Sequence, residues 1–278
     1  MSRAPYLIPA AREGARLGDS VLVDAMIHDG LWDVYSDQHM GLTGELVADK
    51  YGIDREAQDA CAALSHARAT AAWDAGKFDA ETFAVEVPQR KGDPVSFTRD
   101  EGVRADVNEE SLAGLRPAFK KDGGSVTAGN APGVNDGAAA VLVMSEEKAI
   151  SLGLTPRLVW VARAVAGVDP AMMGVGPVPA VRNVLDKTGM TIGDVDLVEL
   201  NEAFVAQALY CVRELGLDME KTNVNGGGIS LGHPIGATGA IMTVKLMEEL
   251  ELRNQEVGLA TMCVGGGQGC ATIFRRFR

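Results

Sequence analysis

The sequence predicts an α/β protein whose centre is one complete five-stranded mixed sheet with helices on both faces. Three observations predict it. From Asp136 onward, short apolar runs alternate with helical patterns, as in strands joined by crossover helices. Glycine-rich turns recur where a run hands over to a helix, above all in 223–239, Asn-Val-Asn-Gly-Gly-Gly-Ile-Ser-Leu-Gly-His-Pro-Ile-Gly-Ala-Thr-Gly. The composition agrees: among 278 residues, 46% hydrophobic, 33 glycines and 5% aromatics suit tight turns and small-residue packing.

The first 130 residues offer little sheet. Asp19 can cap a short helix carrying Val21, Leu22, Ala25 and Met26, and Thr43 precedes a second running through Leu46 and Val47. Asp54 reads as the N-cap of a longer helix, Arg55 to about Ala75, stopped by Gly76. Ala57, Ala60, Cys61, Leu64, Ala67 and Ala71 have helical spacing, which predicts its buried face. Phe83, Val85 and Val87 alternate as a strand, and Val95 with Phe97 make a shorter one. A helix-rich stretch of this kind suits a cover over a site.

The run 137–144 predicts a buried strand, with a helix starting near Ser145. Strand 157–166 follows, then a helix over 178–187 opened by Pro177. Strand 196–200 precedes a helix over 204–215, and strand 222–225 precedes a helix over 237–251. Strands 257–263 and 269–275 close the chain, and two strands in a row imply an antiparallel pair. The run 136–143 echoes 268–274 as a glycine-led closing strand. Four strands precede the second copy and no such series precedes the first. The pattern therefore predicts three parts. Residues 1–130 form a covering segment. Residues 131–152 hold the closing strand and helix of an incomplete first core, and 153–278 form a complete core.

A net charge of −12 argues against nucleic acid, whose phosphates need clustered cations. An anionic ligand would need a local basic patch. No apolar run is long enough to span a bilayer, and the N-terminus lacks the apolar core of a signal peptide. Cys61, Cys211, Cys263 and Cys270 have neither metal-ligand nor disulfide spacing. No metal site is expected, and a reduced, cytoplasmic setting is.

Three predicted strand ends carry polar or nucleophilic groups: Asn201-Glu202-Ala203-Phe204, Gly232-His233-Pro234, and Cys263-Val-Gly-Gly-Gly-Gln-Gly269. In α/β sheets ligands bind at such ends. Pro234 fixes its own φ and holds His233 extended, so the imidazole is presented at a defined angle. A cysteine at a glycine-rich strand end, near backbone N–H groups and an imidazole, is expected to have a lowered pKa. Cys211 and Cys270, inside the helix and strand patterns, read as small buried hydrophobes, and so does Cys61.

These three motifs, in this order and spacing, resemble the thiolases, the acetyl-CoA acyltransferases. The likeness continues in Ser-Val-Thr-Ala-Gly-Asn-Ala-Pro-Gly-Val-Asn-Asp-Gly within 125–149, in Gln-His-Met-Gly at 38–41 and in Met-Ser-Arg-Ala-Pro-Tyr at 1–6. It implies two similar core domains with a covering loop domain inserted near the end of the first. It also implies that most of the first core domain, with its nucleophilic cysteine, has no counterpart here, and that the chain by itself is inactive. The implied activity is reversible Claisen condensation of two acetyl-CoA to acetoacetyl-CoA, or thiolysis of short 3-ketoacyl-CoA. CoA and acyl-CoA are then substrates, and no cofactor is permanently bound.

By the same resemblance Cys263 is the acid/base thiol, and His233 activates the nucleophilic thiol and donates to a thioester oxygen. Asn201 holds a water in that oxyanion hole, and the Gly265 N–H serves a second one. Glu202 either orients Asn201 or caps the helix after Phe204. Leu31, His39 and Met40 match positions around the acyl-pantetheine, Arg104 and Ser111 the adenosine and phosphate end, and Ala128, Ala203 and Phe204 the pantetheine channel. Pro132 stands where the family commonly has a serine that bonds the pantetheine, and proline has neither hydroxyl nor N–H to offer. The implied assembly is a homo-oligomer or a second chain supplying the first core domain. The rival expectation is a non-catalytic acyl-CoA-binding or scaffold subunit of a larger assembly.

Overall fold

The computed structural model describes residues 1–278. Three short antiparallel ribbons belong to the first third: β1 (Tyr6–Leu7) with β2 (Val23–Asp24), β3 (Trp32–Asp33) with β4 (Gln38–His39), and β5 (Val85–Val87) with β6 (Val95–Phe97). Among them lie α1 (Met40–Tyr51), α2 (Arg55–Asp74) and α3 (Glu109–Ala113). The helix α4 (Glu146–Ser151) leads into β7 (Leu158–Gly167), α5 (Pro177–Thr188), β8 (Leu197–Leu200) and α6 (Val205–Leu215). The short α7 (Gly228–Leu231), α8 (Thr238–Leu252), β9 (Val257–Val264) and β10 (Gln268–Arg276) complete the chain.

The last four strands form one mixed sheet in the order β7-β10-β9-β8. Strand β10 runs antiparallel to both neighbours, and β8 runs parallel to β9. Strand alternation sorts the two faces. Val198 and Leu200 join the large apolar cluster of α5 and α6, whereas Leu197 packs on Leu246 and Leu250 of α8. Val47, Ala48 and Ile53 belong to that same large cluster. The expected covering segment is therefore packed into the main core at this point.

The sheet has four strands where five were expected. Thr222 makes only a single bridge to Val198. The Val198 N–H donates to the Lys221 carbonyl and the Asn223 N–H to the Val198 carbonyl, both at 2.9 Å. Asn223 then turns the chain with φ +47. Its side-chain amide takes over the ladder. Leu200 N–H donates to Oδ1 at 2.9 Å, and Nδ2 donates to the Leu200 carbonyl at 2.8 Å. Asparagine tolerates this left-handed φ, and its amide stands where a fifth strand's next peptide would.

The stretch 137–144, expected as a buried strand, forms no ladder, and Leu142 and Val143 are 79% and 81% exposed. Apolar β-branched residues make a strand only against a neighbour that pairs and covers them. No strand of this sheet reaches them, and Gly137 packs on Pro234 instead. The echo of β10 is one of sequence alone.

The expected helix after Asp19 is absent; 17–22 are irregular, and the next helical turn is a π-type turn over Met26–Leu31. Helix α1 starts at Met40, not after Thr43. His39 is its N-cap, accepting from Gly41 N–H at 3.0 Å, and the Thr43 hydroxyl bonds back to the Met40 carbonyl. Asp54 does cap α2, accepting from Ala57 N–H at 2.8 Å. The buried face of α2 differs from the one the apolar spacing predicts. Ala57, Leu64, Ala67 and Ala71 are exposed, and Gln58, Asp59, Ala62, Ser65, His66, Ala69 and Ala72 are buried. A helix so rich in alanine has little apolar bias, so hydrogen bonds to neighbours select the face. Gln58 bonds Ser125, Asp59 bonds Arg55 and Asn130, and Ser65 bonds Glu202.

Candidate active site

The His233 loop is held from both sides. Gly232 has φ +95, and a Cβ there would come within 2.7 Å of Asn135 Oδ1, so only glycine fits. That same Oδ1 accepts from the His233 N–H at 3.3 Å. The imidazole Nε2 lies 3.4 Å from Asn201 Nδ2, and Nδ1 lies 2.7 Å from the Thr238 hydroxyl at the start of α8. Burial holds the imidazole below its ordinary pKa and therefore neutral near pH 7.

Asn201 follows the last residue of β8, its N–H bonded to the Thr261 carbonyl at 2.9 Å. Its own Oδ1 is buried without a hydrogen-bond partner. Beside it lies a void of about 20 Å³ lined in part by Glu199, Gly228, Thr238 and Lys245. That space admits about one water. Lys245 and Glu199 form a buried ion pair at 2.8 Å in the same wall.

Glu202 neither caps α6 nor touches the Asn201 amide. It accepts from Ser65 Oγ at 2.9 Å, Asn223 Nδ2 at 2.9 Å and Ile229 N–H at 3.0 Å. It thus ties α2, the ladder-completing asparagine and the first turn of α7 to the residue next to Asn201. The N-cap of α6 is Phe204, and Gln207 in the first turn reaches back with Oε1 to accept from Ala203 N–H and Phe204 N–H.

Cys263 stands near the end of β9, buried among Met173, Ala203, Met40 and Phe204. Burial pushes its thiol up to about 12, outweighing a backbone hydrogen bond that lowers it. This reverses the expected lowering. The imidazole expected to assist is bonded to Asn201 and Thr238 instead. Burial likewise raises Cys61, to about 12, and Cys211 and Cys270. Gly265 begins the turn after β9 and is packed under Met40, whose Cε a Cβ would meet at 2.5 Å.

The structure brings one group of the predicted residues together: Asn201 with His233, and Cys263 with Ala203, Phe204 and Met40. His39, stacked on Phe119 at 4.8 Å, adjoins Met40, and Trp32 after Leu31 pairs with it. Gly30 approaches Ile235, which sets the turn ending at Leu31 beside the histidine loop. Arg104 and Ala128 are exposed on loops, and Ser111 is exposed on α3. Arg104 is fixed through its backbone N–H to buried His66 at 3.3 Å. The Ser111 hydroxyl is engaged in a capping box with Asn108, a competing use the sequence pattern did not reveal.

Three functional partners escaped the sequence. Thr238 lies five residues after His233, a first-turn helix position where threonine is unremarkable. Asn135 sits in a Val-Asn-Asp-Gly run that reads as a turn, and Ser65 lies on the face of α2 judged exposed.

Two matches cover nearly the whole chain: the thiolase N-terminal domain over residues 1–147 and the thiolase C-terminal domain over 154–276. The chain belongs to the thiolase family. It is 56% identical to the acetyl-CoA acetyltransferase of Pseudomonas aeruginosa, covering 99% of this chain and 70% of that protein. A probable acetyl-CoA acyltransferase of Staphylococcus aureus is 49% identical, with 100% and 70% covered. Among solved structures, Bacillus anthracis acetyl-CoA acetyltransferase superposes with a TM-score of 0.94 at 48% identity, covering 98% of this chain and 68% of that one. Human mitochondrial 3-ketoacyl-CoA thiolase in complex with CoA gives 0.91 at 42% identity, with 99% and 68% covered. The N-terminal match runs from residue 1 to 147, across the boundary the pattern drew at 130 between a cover and a closing strand. No helix is long and apolar enough to cross a membrane.

Proposed function

We propose that the chain acts on short acyl-CoA thioesters and carries the enolate-forming part of a thiolase site. The reaction is reversible condensation of two acetyl-CoA to acetoacetyl-CoA and CoA, or the thiolysis that reverses it. The observation that carries this reading is the Asn201–His233 pair, 3.4 Å apart, with a buried unpartnered amide oxygen beside it. Such an oxygen can hold a water, and the water and imidazole together suit a developing oxyanion. Cys263 serves as the α-proton base. A thiol raised by burial is harder to ionise, but its thiolate is the stronger base for a weakly acidic C–H. Gly265 N–H serves the second oxyanion. Leu31, His39, Met40, Ala203 and Phe204 surround the acyl-pantetheine, and Arg104, Ser111 and Ala128 the outer CoA.

All four thiols are raised by burial, and none lies in a site that would make it a ready nucleophile. We therefore place the acyl-accepting thiol outside these 278 residues, on a further polypeptide segment or a partner chain within an oligomer. In the domain division proposed, 153–278 is the core that bears the three motifs. The raised thiols also favour a second reading, a non-catalytic acyl-CoA-binding subunit.

Acetyl-CoA incubated with the chain in deuterated buffer tests both. Deuterium is expected to enter the acetyl methyl group, to stop in Cys263→Ser and to fall sharply in His233→Ala, with no acetyl adduct by intact mass. Unchanged exchange in Cys263→Ser would remove Cys263 as the base. A stoichiometric adduct on any cysteine would return the nucleophile to this chain. Binding without exchange would establish the non-catalytic reading.

A further inference from the structure

We propose that His66 is a positioning residue for the outer end of the acyl-CoA: it seats the Arg104 loop against the same turn of α2 that holds Glu202 beside Asn201. The inference rests on the reading of Arg104 as a contact of the outer CoA. Its first ground is how the loop is held. The Arg104 N–H donates to His66 Nδ1 at 3.3 Å. Arg104 is exposed, whereas His66 on α2 is buried. The main chain is thus anchored in the interior, and the guanidinium is left at the surface. Two residues earlier, a Cβ on Gly102 would come within 3.1 Å of the Ser230 carbonyl, so the loop also rests closely on α7.

The second ground is where that anchor stands. Ser65, the residue before His66, donates to Glu202 at 2.9 Å and lies 3.0 Å from the Ser230 hydroxyl. Glu202 accepts the Ile229 N–H and directly follows Asn201. Consecutive residues of one helix therefore serve the two ends of the site, Ser65 the oxyanion end and His66 the outer end. The helix between them fixes their separation.

The third ground is the acceptor. A backbone N–H can only donate, so Nδ1 presents a lone pair to Arg104. Burial first, then the nearby Arg104 charge, holds His66 down to about 4, against an opposing pull from Asp106. The ring is therefore neutral near pH 7 and keeps that lone pair. Leucine would fill the space of the ring without the acceptor. Asparagine would fill it less well, but its Oδ1 stands at the reach of Nδ1. Packing and hydrogen bonding thus predict opposite orders for His66→Leu and His66→Asn.

Hydrogen exchange and calorimetry on the full chain read that order. The Arg104 amide is expected to be protected in the wild type and in His66→Asn, and to exchange faster in His66→Leu. His66→Phe gives the same reading should the leucine variant fail to fold. Loss of one hydrogen bond predicts that His66→Leu weakens acetyl-CoA binding about 2- to 13-fold, with His66→Asn restoring it. Acetyl-pantetheine, which lacks the adenosine and its phosphates, is expected to bind all of them alike. Equal losses for both thioesters, or an asparagine variant weaker than the leucine one, would overturn the inference. Arg104→Ala keeps the backbone donor and removes the charge, so it tests the underlying reading. If it binds acetyl-CoA as the wild type does, the outer-CoA role of Arg104 fails and the inference with it. If it binds more weakly while His66→Leu does not, the inference alone fails.

Discussion

Asn223 offers a graded test of how the sheet ends. Its amide replaces a strand: Oδ1 accepts from Leu200 N–H, and Nδ2 donates to the Leu200 carbonyl and to Glu202 Oε1. Removing it strands two buried backbone groups, each costing about 1–3 kcal/mol. The left-handed φ of +47 adds about 1–2 kcal/mol for a residue with a Cβ and no compensating local bond. Asn223→Gly escapes the second cost and is expected to lose about 2–6 kcal/mol, and Asn223→Ala about 3–8 kcal/mol. Asn223→Asp keeps the acceptor for Leu200 N–H but turns an oxygen toward the Leu200 carbonyl and the Glu202 carboxylate. It should be the least stable despite being the closest in shape. Urea unfolding at one pH gives the order directly through the midpoints. Stabilities within about 0.5 kcal/mol of wild type for Ala, the usual range for an indifferent surface change, would refute the ladder role. An aspartate variant more stable than the alanine one would refute the assignment of the two amide atoms.

Two further predictions follow from buried charge. Burial, with help from Glu199, Glu248 and Glu249, raises the Glu81 carboxyl from 4.5 to about 8. Because the folded state binds this proton more tightly, its contribution is complete below about pH 4.5 and is lost as pH rises through about 8. Thermal unfolding across that window should show Glu81→Gln gaining on wild type as pH rises, by at most about 5 kcal/mol; a constant difference would rule this out. Lys245→Met leaves Glu199 buried without its partner and should cost about 3–5 kcal/mol, most of which Lys245→Met with Glu199→Leu recovers. A double variant no more stable than the single one would show that Lys245 acts mainly through the Gly226 carbonyl, which it also bonds.

The last four strands and the helices α5, α6 and α8 were legible because apolar period and glycine or proline punctuation agree there. The Asn201, His233 and Cys263 motifs were legible because each combines a chemical group with a constrained turn. Where the sequence misled, a polar contact decided the outcome. Asn223 looked like strand and is a side chain imitating one. The face of α2 was read from alanines, yet Ser65, Asp59 and Gln58 determine which side is buried. The run 137–144 has the right residues for a strand and lacks a pairing neighbour. Burial of Cys263 by Met173, Met40 and Phe204 arises from distant segments, so its raised thiol could not be read from its glycine-rich surroundings.

The polar buried face of α2 has a thermal consequence. Apolar burial changes heat capacity strongly and weakens on cooling, whereas polar surface contributes with the opposite sign. Helix α2 meets the site through Ser65 on Glu202 and Ser230, and its first turns meet the covering segment through Gln58 and Asp59. Its seat therefore combines these directed bonds with a small apolar contact of Ala62 on Leu112, Val205 and Ile229. Lowering the temperature, which loosens the apolar cluster around β8 and β9, leaves this seat comparatively untouched. The Ser65–Glu202 contact is thus less sensitive to cold than the apolar cluster, whereas Asn201, bonded to Thr261 of β9, follows that cluster.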